Sequence, residues 1–314
     1  MRRWLSVIAN DSLLLLTAVI WGVAFVAQRA GMEHVGPFTY NAVRFAIGSL
    51  TLVPIILLRR RPARSAGSAV AGRPRPASAG PGVWIGGLLA GAVLFLGASF
   101  QQSGLVYTTA GKAGFITGLY VVLVPLTGLF RRQRAGWGGW VGALLSLAGL
   151  FLLSVSERFT MERGDLLVLA SALFWTAHVQ IVGWLSPRTD ALALACIQFA
   201  VCAILCTAGA VLWETVRLSG ILDAAVPILY GGLLSVGVAF TLQVVAQAKA
   251  PPAHAAVILS LESVFAALGG ALILSERLGA RGTIGCAIMF SGMLFSQVPR
   301  LLGAAGLASP GVAR

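Results

Sequence analysis

A succession of long apolar runs constrains this chain more than any other feature. A transmembrane helix needs about 20 mostly apolar residues, because the bilayer's hydrocarbon core is about 30 Å thick and an α-helix rises about 1.5 Å per residue. Ten runs meet this requirement: 12–30, 38–58, 82–102, 109–130, 136–154, 164–185, 191–211, 224–246, 252–274 and 281–300. The sequence therefore predicts an all-α polytopic membrane protein with ten transmembrane helices.

The composition excludes the soluble alternatives. Hydrophobic residues make up 58% of the chain and charged residues 11%, against about 25% charged residues in an ordinary soluble domain. Lys and Arg outnumber Asp and Glu by 23 to 10, which is a balance that nucleic-acid binders also show. The charges lie between the apolar runs, however, so they are interpreted as topology signals. We expect the lipid bilayer as a partner, and no nucleic acid.

The distribution of charge between the runs predicts the orientation. With the N-terminus inside, the basic clusters at 2–3, 59–81 and 131–134 share the cytoplasmic side, whereas most acidic residues share the opposite side. The positive-inside rule then places both termini in the cytoplasm. Segment 59–81 combines arginines with Pro, Gly, Ser and Ala, and is predicted to be a disordered loop.

Two internal similarities indicate a repeat. Residues 18–21 (AVIW) match 172–175 (ALFW), 154 positions on, and 142–149 match 285–292, 143 positions on. Each repeat holds an odd number of helices, so the second copy must enter the membrane from the opposite face. The repeats are therefore predicted to be inverted about an axis in the membrane plane.

The predicted organisation follows from these repeats. It consists of an N-terminal segment 1–11, a first repeat 12–154, a linker 155–163, a second repeat 164–300 and a cytoplasmic tail 301–314.

Four segments carry a resemblance to a known family. The segments 18–25 (AVIWGVAF), 44–48 (RFAIG), 114–125 (GFITGLYVVLVP) and 259–265 (LSLESVF) resemble the EamA-type transporters of the drug/metabolite transporter superfamily. The resemblance implies ten helices in two inverted repeats, a central cavity and transport of small metabolites, often as efflux. Ser263 stands where that family usually has proline after the ninth-helix glutamate, so a proline kink is not expected there.

Together, the residues and the resemblance predict a permease that moves a small organic molecule, such as an amino acid, metabolite or drug-like compound, by alternating access and as efflux. The resemblance and an Arg-biased, Lys-poor composition favour a bacterial inner membrane. The alternatives are a lipid or nucleotide-sugar translocator, an intramembrane enzyme that uses Glu262 and His178 as acid and base, and a non-transporting partner subunit. The small-residue faces around Gly138/Gly142 and 285/292 offer a route to a homodimer.

No cofactor or metal is expected. The four cysteines (Cys196, Cys202, Cys206 and Cys286) lie inside spans without His or carboxylate neighbours at ligand spacing, so they are interpreted as packing residues. The sequence also contains no Walker motif, which argues against a chain that uses ATP directly.

Ionisable residues inside the bilayer are costly and mark candidate sites. Glu262 lies near the middle of its span. It is interpreted either as a functional residue, which carries protons or contacts the substrate, or as a hydrogen-bonded structural acid. An offset of 142 carries Lys112 onto His254 and Tyr120 onto Glu262. Tyr120 and Glu262 are predicted to face each other near the pseudo-axis, with Lys112 and His254 about 12 Å away at opposite mouths. The alternatives are a snorkelling Lys112 and an interfacial His254.

Further candidates lie on the first, second and sixth helices. Trp21 and Gln28 share one helical face, as do Trp175 and His178, and the two tryptophans are either paired cavity walls or packing residues. His178 is preferred among the histidines because it is deep and because histidine is the side chain that can titrate near neutral pH. Arg44 either pairs with Glu33 or helix-end carbonyls, or binds an anionic group. The default role of the span glutamines (Gln101, Gln102, Gln198 and Gln243) is interhelical hydrogen bonding.

Overall fold

The structure is a computed structural model that describes residues 2–60, 81–133, 135–154, 162–273 and 279–304. Most of the predicted basic loop 59–81 and of the linker 155–163 lies outside the described residues, as does most of the tail 301–314. The described residues form helices and turns, with no strand among them.

The helices are α1 (Arg2–Gly31), α2 (Pro37–Arg60), α3 (Pro81–Leu105), α4 (Ala110–Gly118), α5 (Tyr120–Phe130), α6 (Trp137–Ser154), α7 (Arg163–Leu185), α8 (Ala191–Trp213), α9 (Leu218–Asp223), α10 (Ala225–Leu229), a π-helical segment (Tyr230–Phe240), α11 (Thr241–Gln247), α12 (Pro252–Leu259), α13 (Glu262–Ile273) and α14 (Ala280–Ala304). Within the described residues, nine spans are long and apolar enough to cross a membrane, and a tenth apolar helix, Trp137–Leu152, is shorter. The predicted all-helical membrane fold is confirmed.

Glycines bring α6 and α14 into close contact. A Cβ atom on Gly142 would lie 2.8 Å from the carbonyl oxygen of Gly292, and one on Gly149 would lie 2.5 Å from that of Gly285. Exchange of the two repeats converts the first contact into the second, because Gly142 corresponds to Gly285 and Gly149 to Gly292. The α6–α14 pair therefore straddles a pseudo-twofold axis that relates the repeats.

This packing corrects one hypothesis about assembly. The faces around Gly138/Gly142 and 285/292 were candidates for contact with a second chain, yet they contact each other within one chain, where Gly138 also meets Pro299. Small residues let the two backbones approach closely, so no room remains there for a partner helix. A homodimer through another surface stays a prediction.

Two spans are broken at equivalent places. The fourth span is interrupted at Leu119, between α4 and α5, and the ninth at Ser260–Leu261, between α12 and α13. At the breaks Leu119 N–H bonds to the carbonyl of Ile116, and Leu261 N–H to that of Ile258, both at 3.2 Å. These are three-residue bonds of the 3₁₀ type, and the two bonded pairs correspond under the offset of 142.

The break in the ninth span differs from expectation, because it forms without a proline. The Ser260 hydroxyl donates to the carbonyl of Val257 at 2.8 Å, a side-chain bond of the kind that bends helices. The Ser263 hydroxyl donates to the carbonyl of Gly114 at 2.8 Å, which ties the two broken spans together. Two serine hydroxyls thus accompany the bend in the ninth span, in place of a proline.

The eighth span contains the irregular π-helical segment. Its backbone contacts α1 and α2, and the indole Nε1 of Trp21 donates to the carbonyl of Ser235 at 3.2 Å. Segments of π-helix widen the backbone locally and are frequent at functional sites. Here the segment forms one wall of the interior of the bundle.

Candidate functional site: a cavity between the repeats

A central cavity of about 40 Å³ lies between the two repeats. Its lining combines aromatic, amide and charged side chains from both repeats: Trp21, Phe25, Gln28, Arg44, Gln101, Thr117, Tyr120, Trp175, Val179, Ser235, Phe240, Gln243, Leu259 and Glu262.

Most of this lining consists of repeat-equivalent pairs. The offset of 154 relates Trp21 to Trp175 and Phe25 to Val179, and the offset of 142 relates the other pairs, which are Gln101/Gln243, Thr117/Leu259 and Tyr120/Glu262. Equivalent residues that meet at one cavity place that cavity on the pseudo-twofold axis. Each repeat therefore contributes the same set of positions, although not always the same side chains.

Tyr120 and Glu262 lie beside each other in the cavity wall. Each is the first residue after a helix break, and their exposed fractions are 3% and 4%. Both side chains line the same cavity, and the buried Tyr120 hydroxyl has no hydrogen-bond partner among the described residues. Among the described residues Glu262 makes no ion pair. Its carboxyl group is therefore available to a proton or a ligand.

Gln101 organises the wall beside Trp175. Its Oε1 atom accepts a hydrogen bond from the indole Nε1 of Trp175 at 2.8 Å, and its amide donates to Oε1 of Gln28 at 3.2 Å. Thr117 Oγ1 also points at Gln101 Oε1, at 3.5 Å. The sequence indicated a role in interhelical hydrogen bonding, and the structure adds that Gln101 faces the cavity. Its equivalence to Gln243 was the signal that could have shown this.

Two ring contacts with Phe240 hold the tryptophans in place. The ring centroids of Trp21 and Phe240 are 4.5 Å apart, and those of Trp175 and Phe240 are 5.8 Å apart. Phe240 thus sits between the two equivalent tryptophans, and it was missed by sequence reasoning because its equivalent in the first repeat is Ala98. The result is a rigid aromatic wall on one side of the cavity.

Arg44 brings a guanidinium group to the cavity. It is 2% exposed, its Nε donates to Oδ1 of Asn41 at 2.9 Å, and its guanidinium carbon lies 4.8 Å from the Phe45 ring centroid. Of the alternatives for Arg44, the ion pair with Glu33 is not formed, since no carboxylate pairs with Arg44 among the described residues. The buried charge is held by an amide and an aromatic ring, while the side chain lines the cavity.

His178 lies behind the cavity wall instead of in it. Its Nε2 atom is 2.9 Å from Oε1 of Gln198, and its ring meets Trp175 and Phe240 edge-on. The residue is fully buried. Glu262 lines the central cavity, whereas His178 is not among its lining residues.

Lys112 and His254 lie in ion pairs away from the central cavity. Lys112 Nζ is 2.9 Å from Oδ2 of Asp165, and His254 Nε2 is 3.0 Å from Oδ1 of Asp11. Thr108 also donates to Asp165, at 2.6 Å. His254 borders a second cavity of about 370 Å³. The predicted single cavity with these residues at its mouths is thus replaced by a central cavity and two flanking ion pairs.

No metal centre is present among the described residues, since no group of three or more His, Cys, Asp or Glu side chains comes together there. The cysteines are free, and three of them are buried. Cys202 and Cys206 belong to the core between α2 and α8.

The helical fold and the cavity between inverted repeats define a polytopic membrane transporter. The chain belongs to the EamA-like transporter family, whose model matches residues 9–155 and 162–297, and thereby to the drug/metabolite transporter superfamily. The two matches cover both predicted repeats.

The chain is also similar to individual proteins. An "uncharacterized transporter" of Archaeoglobus fulgidus is 32% identical over 268 residues, covering 84% of this chain and 78% of that protein. "Uncharacterized protein PA1977" of Pseudomonas aeruginosa is 29% identical over 302 residues, covering 93% and 96%. A crystal structure with 21% identity aligns with a TM-score of 0.73 over 96% of this chain and 99% of that chain, which supports the fold alone.

Proposed function

We propose that this membrane transporter moves a small organic molecule by alternating access, with the central cavity as its binding site. The observation that carries the proposal is the position of the cavity on the pseudo-twofold axis, lined by equivalent residues of both repeats. Two repeats of opposite orientation can exchange conformations, which opens a site between them first to one side and then to the other.

The lining indicates the chemistry of the substrate. Trp21, Trp175 and Phe240 offer apolar faces, Arg44 offers a cation, and Glu262 offers a carboxyl group on another wall. Such a site suits a small molecule with an apolar body, an anionic group for Arg44 and a donor for Glu262. A nucleotide sugar fits less well, because its diphosphate would meet a single arginine. A two-chain lipid fits less well too, because its acyl chains need a longer apolar groove.

We further infer efflux across a bacterial inner membrane, with both termini in the cytoplasm. The support is the basic bias of the segments at 2–3, 59–81 and 131–134, together with the family's frequent role in export. Glu262 is the candidate coupling carboxylate, since a group that binds and releases a proton inside the cavity can link transport to a proton gradient.

A comparison of extracellular metabolites tests the proposal. Cells that express the protein, cells that express Glu262→Gln and cells with empty vector are compared by mass spectrometry of the medium. We expect at least one small amphoteric or anionic metabolite to accumulate several-fold with the wild type and to return to the vector level with Glu262→Gln.

Glu33→Gln is the matched control for this comparison. It removes an exposed carboxylate outside the cavity and should leave export unchanged at equal expression. Equal medium composition in all four strains, across a broad panel of amino acids and organic acids, would contradict export of such molecules.

A further inference from the structure

The two flanking ion pairs are the same interaction made by the two repeats. The offset of 142 carries Lys112 onto His254, and the offset of 154 carries Asp165 onto Asp11. Exchange of the repeats therefore converts Lys112–Asp165, at 2.9 Å, into His254–Asp11, at 3.0 Å. The correspondence of four residues in two bonded pairs is a further consequence of the pseudo-twofold axis.

Each pair joins one repeat to the other. Lys112 lies on the fourth span and pairs with Asp165 on α7, the first span of the second repeat. His254 lies on the ninth span and pairs with Asp11 on α1, the first span of the first repeat. In an alternating-access mechanism these repeats move against each other, so a bond between them resists that motion.

The pairs also flank the central cavity on opposite sides. From Lys112 to Tyr120, and from His254 to Glu262, is eight residues, or about 12 Å along a helix. Because the repeats are inverted, the fourth and ninth spans run in opposite directions, so Lys112 and His254 lie towards opposite ends of the bundle. One pair thus braces each end, and the cavity lies between them.

The two pairs differ in one chemical respect. A lysine ammonium stays charged across the physiological pH range, whereas a histidine changes charge near neutral pH. Protonated His254 forms an ion pair with Asp11, while neutral His254 keeps at most a neutral-donor hydrogen bond, which is weaker. The strength of the His254–Asp11 interaction therefore depends on whether His254 is protonated, whereas the Lys112–Asp165 ion pair is unaffected by pH in this range.

The surroundings of His254 give a proton access to it. The neighbouring cavity of about 370 Å³ is lined from α5, α6, α12 and α14 and from the turn that holds Gln133. The groups that face His254 among the described residues are Asp11 from α1 and the hydroxyl of Ser296 from α14, 3.4 Å from Nδ1. Apart from His254 itself, the described lining of this cavity contains no charged side chain.

We propose that Lys112–Asp165 and His254–Asp11 are alternating latches, and that proton binding at His254 determines whether its end of the transporter opens. The inference rests on the proposed alternating-access function, and it assigns a proton site separate from Glu262. At low pH the His254 latch is closed; as the pH rises through the range where histidine deprotonates, the latch weakens and that end opens.

A cysteine in the cavity reports which end is open. Thr117→Cys, in a chain whose four native cysteines are replaced by alanine, is labelled with a membrane-impermeant maleimide in right-side-out and inside-out vesicles. The assay requires no known substrate. Initial labelling rates from the two sides are compared at pH 5.5 and pH 8.0. Because the reaction of maleimide with thiols itself depends on pH, each rate is divided by the rate at which the same maleimide reacts with a small free thiol at that pH.

Removal of one base should open one end. We expect His254→Gln to raise labelling from the His254 side about threefold or more and to lower it from the other side, and Lys112→Gln to do the reverse. Both variants keep the carboxylates, including Asp165, whose Oδ2 accepts from the backbone N–H of Glu162 and so caps α7. Monodisperse elution in detergent verifies folding of each variant.

Exchange of the two bases should move the pH dependence from one end to the other. His254→Lys should abolish the pH dependence of labelling from the His254 side, and Lys112→His should create one at the opposite side. Both exchanges keep a nitrogen base that can bond to the carboxylate, so folding is expected to be retained. Parallel changes on both sides, or a pH dependence that survives in His254→Lys, would overturn the latch proposal. Loss of export in Glu262→Gln with intact labelling behaviour would leave it standing, because the two assays are separate.

Discussion

At the scale of single residues, the two repeats have equivalent backbones but carry different side chains at the cavity and at its two ends. The offset of 142 pairs tyrosine with glutamate at the cavity and lysine with histidine at its ends. In both cases the second repeat carries the residue type whose ordinary pKa lies nearer to neutral pH, glutamate instead of tyrosine and histidine instead of lysine. A symmetric scaffold can thus alternate between two similar states, while the substitutions make the two states respond differently to protons.

Tyr120 provides a graded test of the cavity. Tyr120→Phe removes one hydroxyl and keeps the ring, so transport efficiency should fall about fivefold, the equivalent of one lost hydrogen bond of about 1 kcal/mol.

Glu262→Gln should remove transport or its pH dependence, because an amide keeps size and hydrogen bonding but cannot titrate. Initial rates of export at several pH values measure both effects. Normal rates with an unchanged pH profile in Glu262→Gln would make that residue purely structural.

Arg44 should determine recognition of the anionic group. Arg44→Gln is expected to raise the apparent KM for an anionic substrate about tenfold or more, since a charge-assisted hydrogen bond is lost. Arg44→Lys should give an intermediate value, because it keeps the charge and loses the planar geometry. Export kinetics measured over a range of substrate concentrations separate KM from kcat. The control is Arg29→Gln, an exposed arginine near the end of α1, which should have no effect.

At the scale of helices, hydropathy predicted the spans well but could not locate their breaks. Span prediction averages about 20 residues, whereas the break at Leu119 depends on one three-residue hydrogen bond. No proline marks Leu119 or Ser260, and the nearest signal, Ser263, argued against a bend. The π-helical segment was equally invisible, because its composition is that of an ordinary apolar helix. The repeat offset predicted the facing of Tyr120 and Glu262, whereas Phe240 and Ser235 have no chemically similar equivalents.

The contact between α6 and α14 predicts a sensitive glycine. Gly149→Ala places a Cβ atom 2.5 Å from a backbone carbonyl that cannot move aside easily, so we expect a loss of stability of about 1–3 kcal/mol. Gly111→Ala, in a helix with no heavy atom within 4 Å of the new Cβ, is the matched control. It should be neutral or slightly stabilising, because alanine favours helix. Thermal unfolding in detergent measures both, and equal midpoints would contradict the tight contact.

At the scale of the whole molecule, two inverted repeats place opposite charge patterns at the two ends. One end carries the turns with Arg131, Arg132, Arg188 and Lys249, and the other carries Glu33, Glu162, Glu214 and Asp223. The α6–α14 contact and the two ion pairs are each related to their counterparts by the same axis. Because each repeat has an odd number of spans, the second repeat crosses the membrane in the opposite direction to the first. The same inversion places the cavity on the axis between the repeats and puts equivalent loops on opposite sides of the membrane.

Reporter fusions test that orientation directly. Fusions within 59–81 and after residue 300 should both report the cytoplasm, and a fusion within 156–162 should report the opposite side, because the basic clusters stay inside. Alkaline phosphatase and green fluorescent protein are suitable paired reporters, since each is active on one side only. The first two positions lie an even number of spans from the N-terminus, and the third lies an odd number from it. A cytoplasmic signal from 156–162 would place both repeats in the same orientation, and the alternating exchange between them would lose its basis.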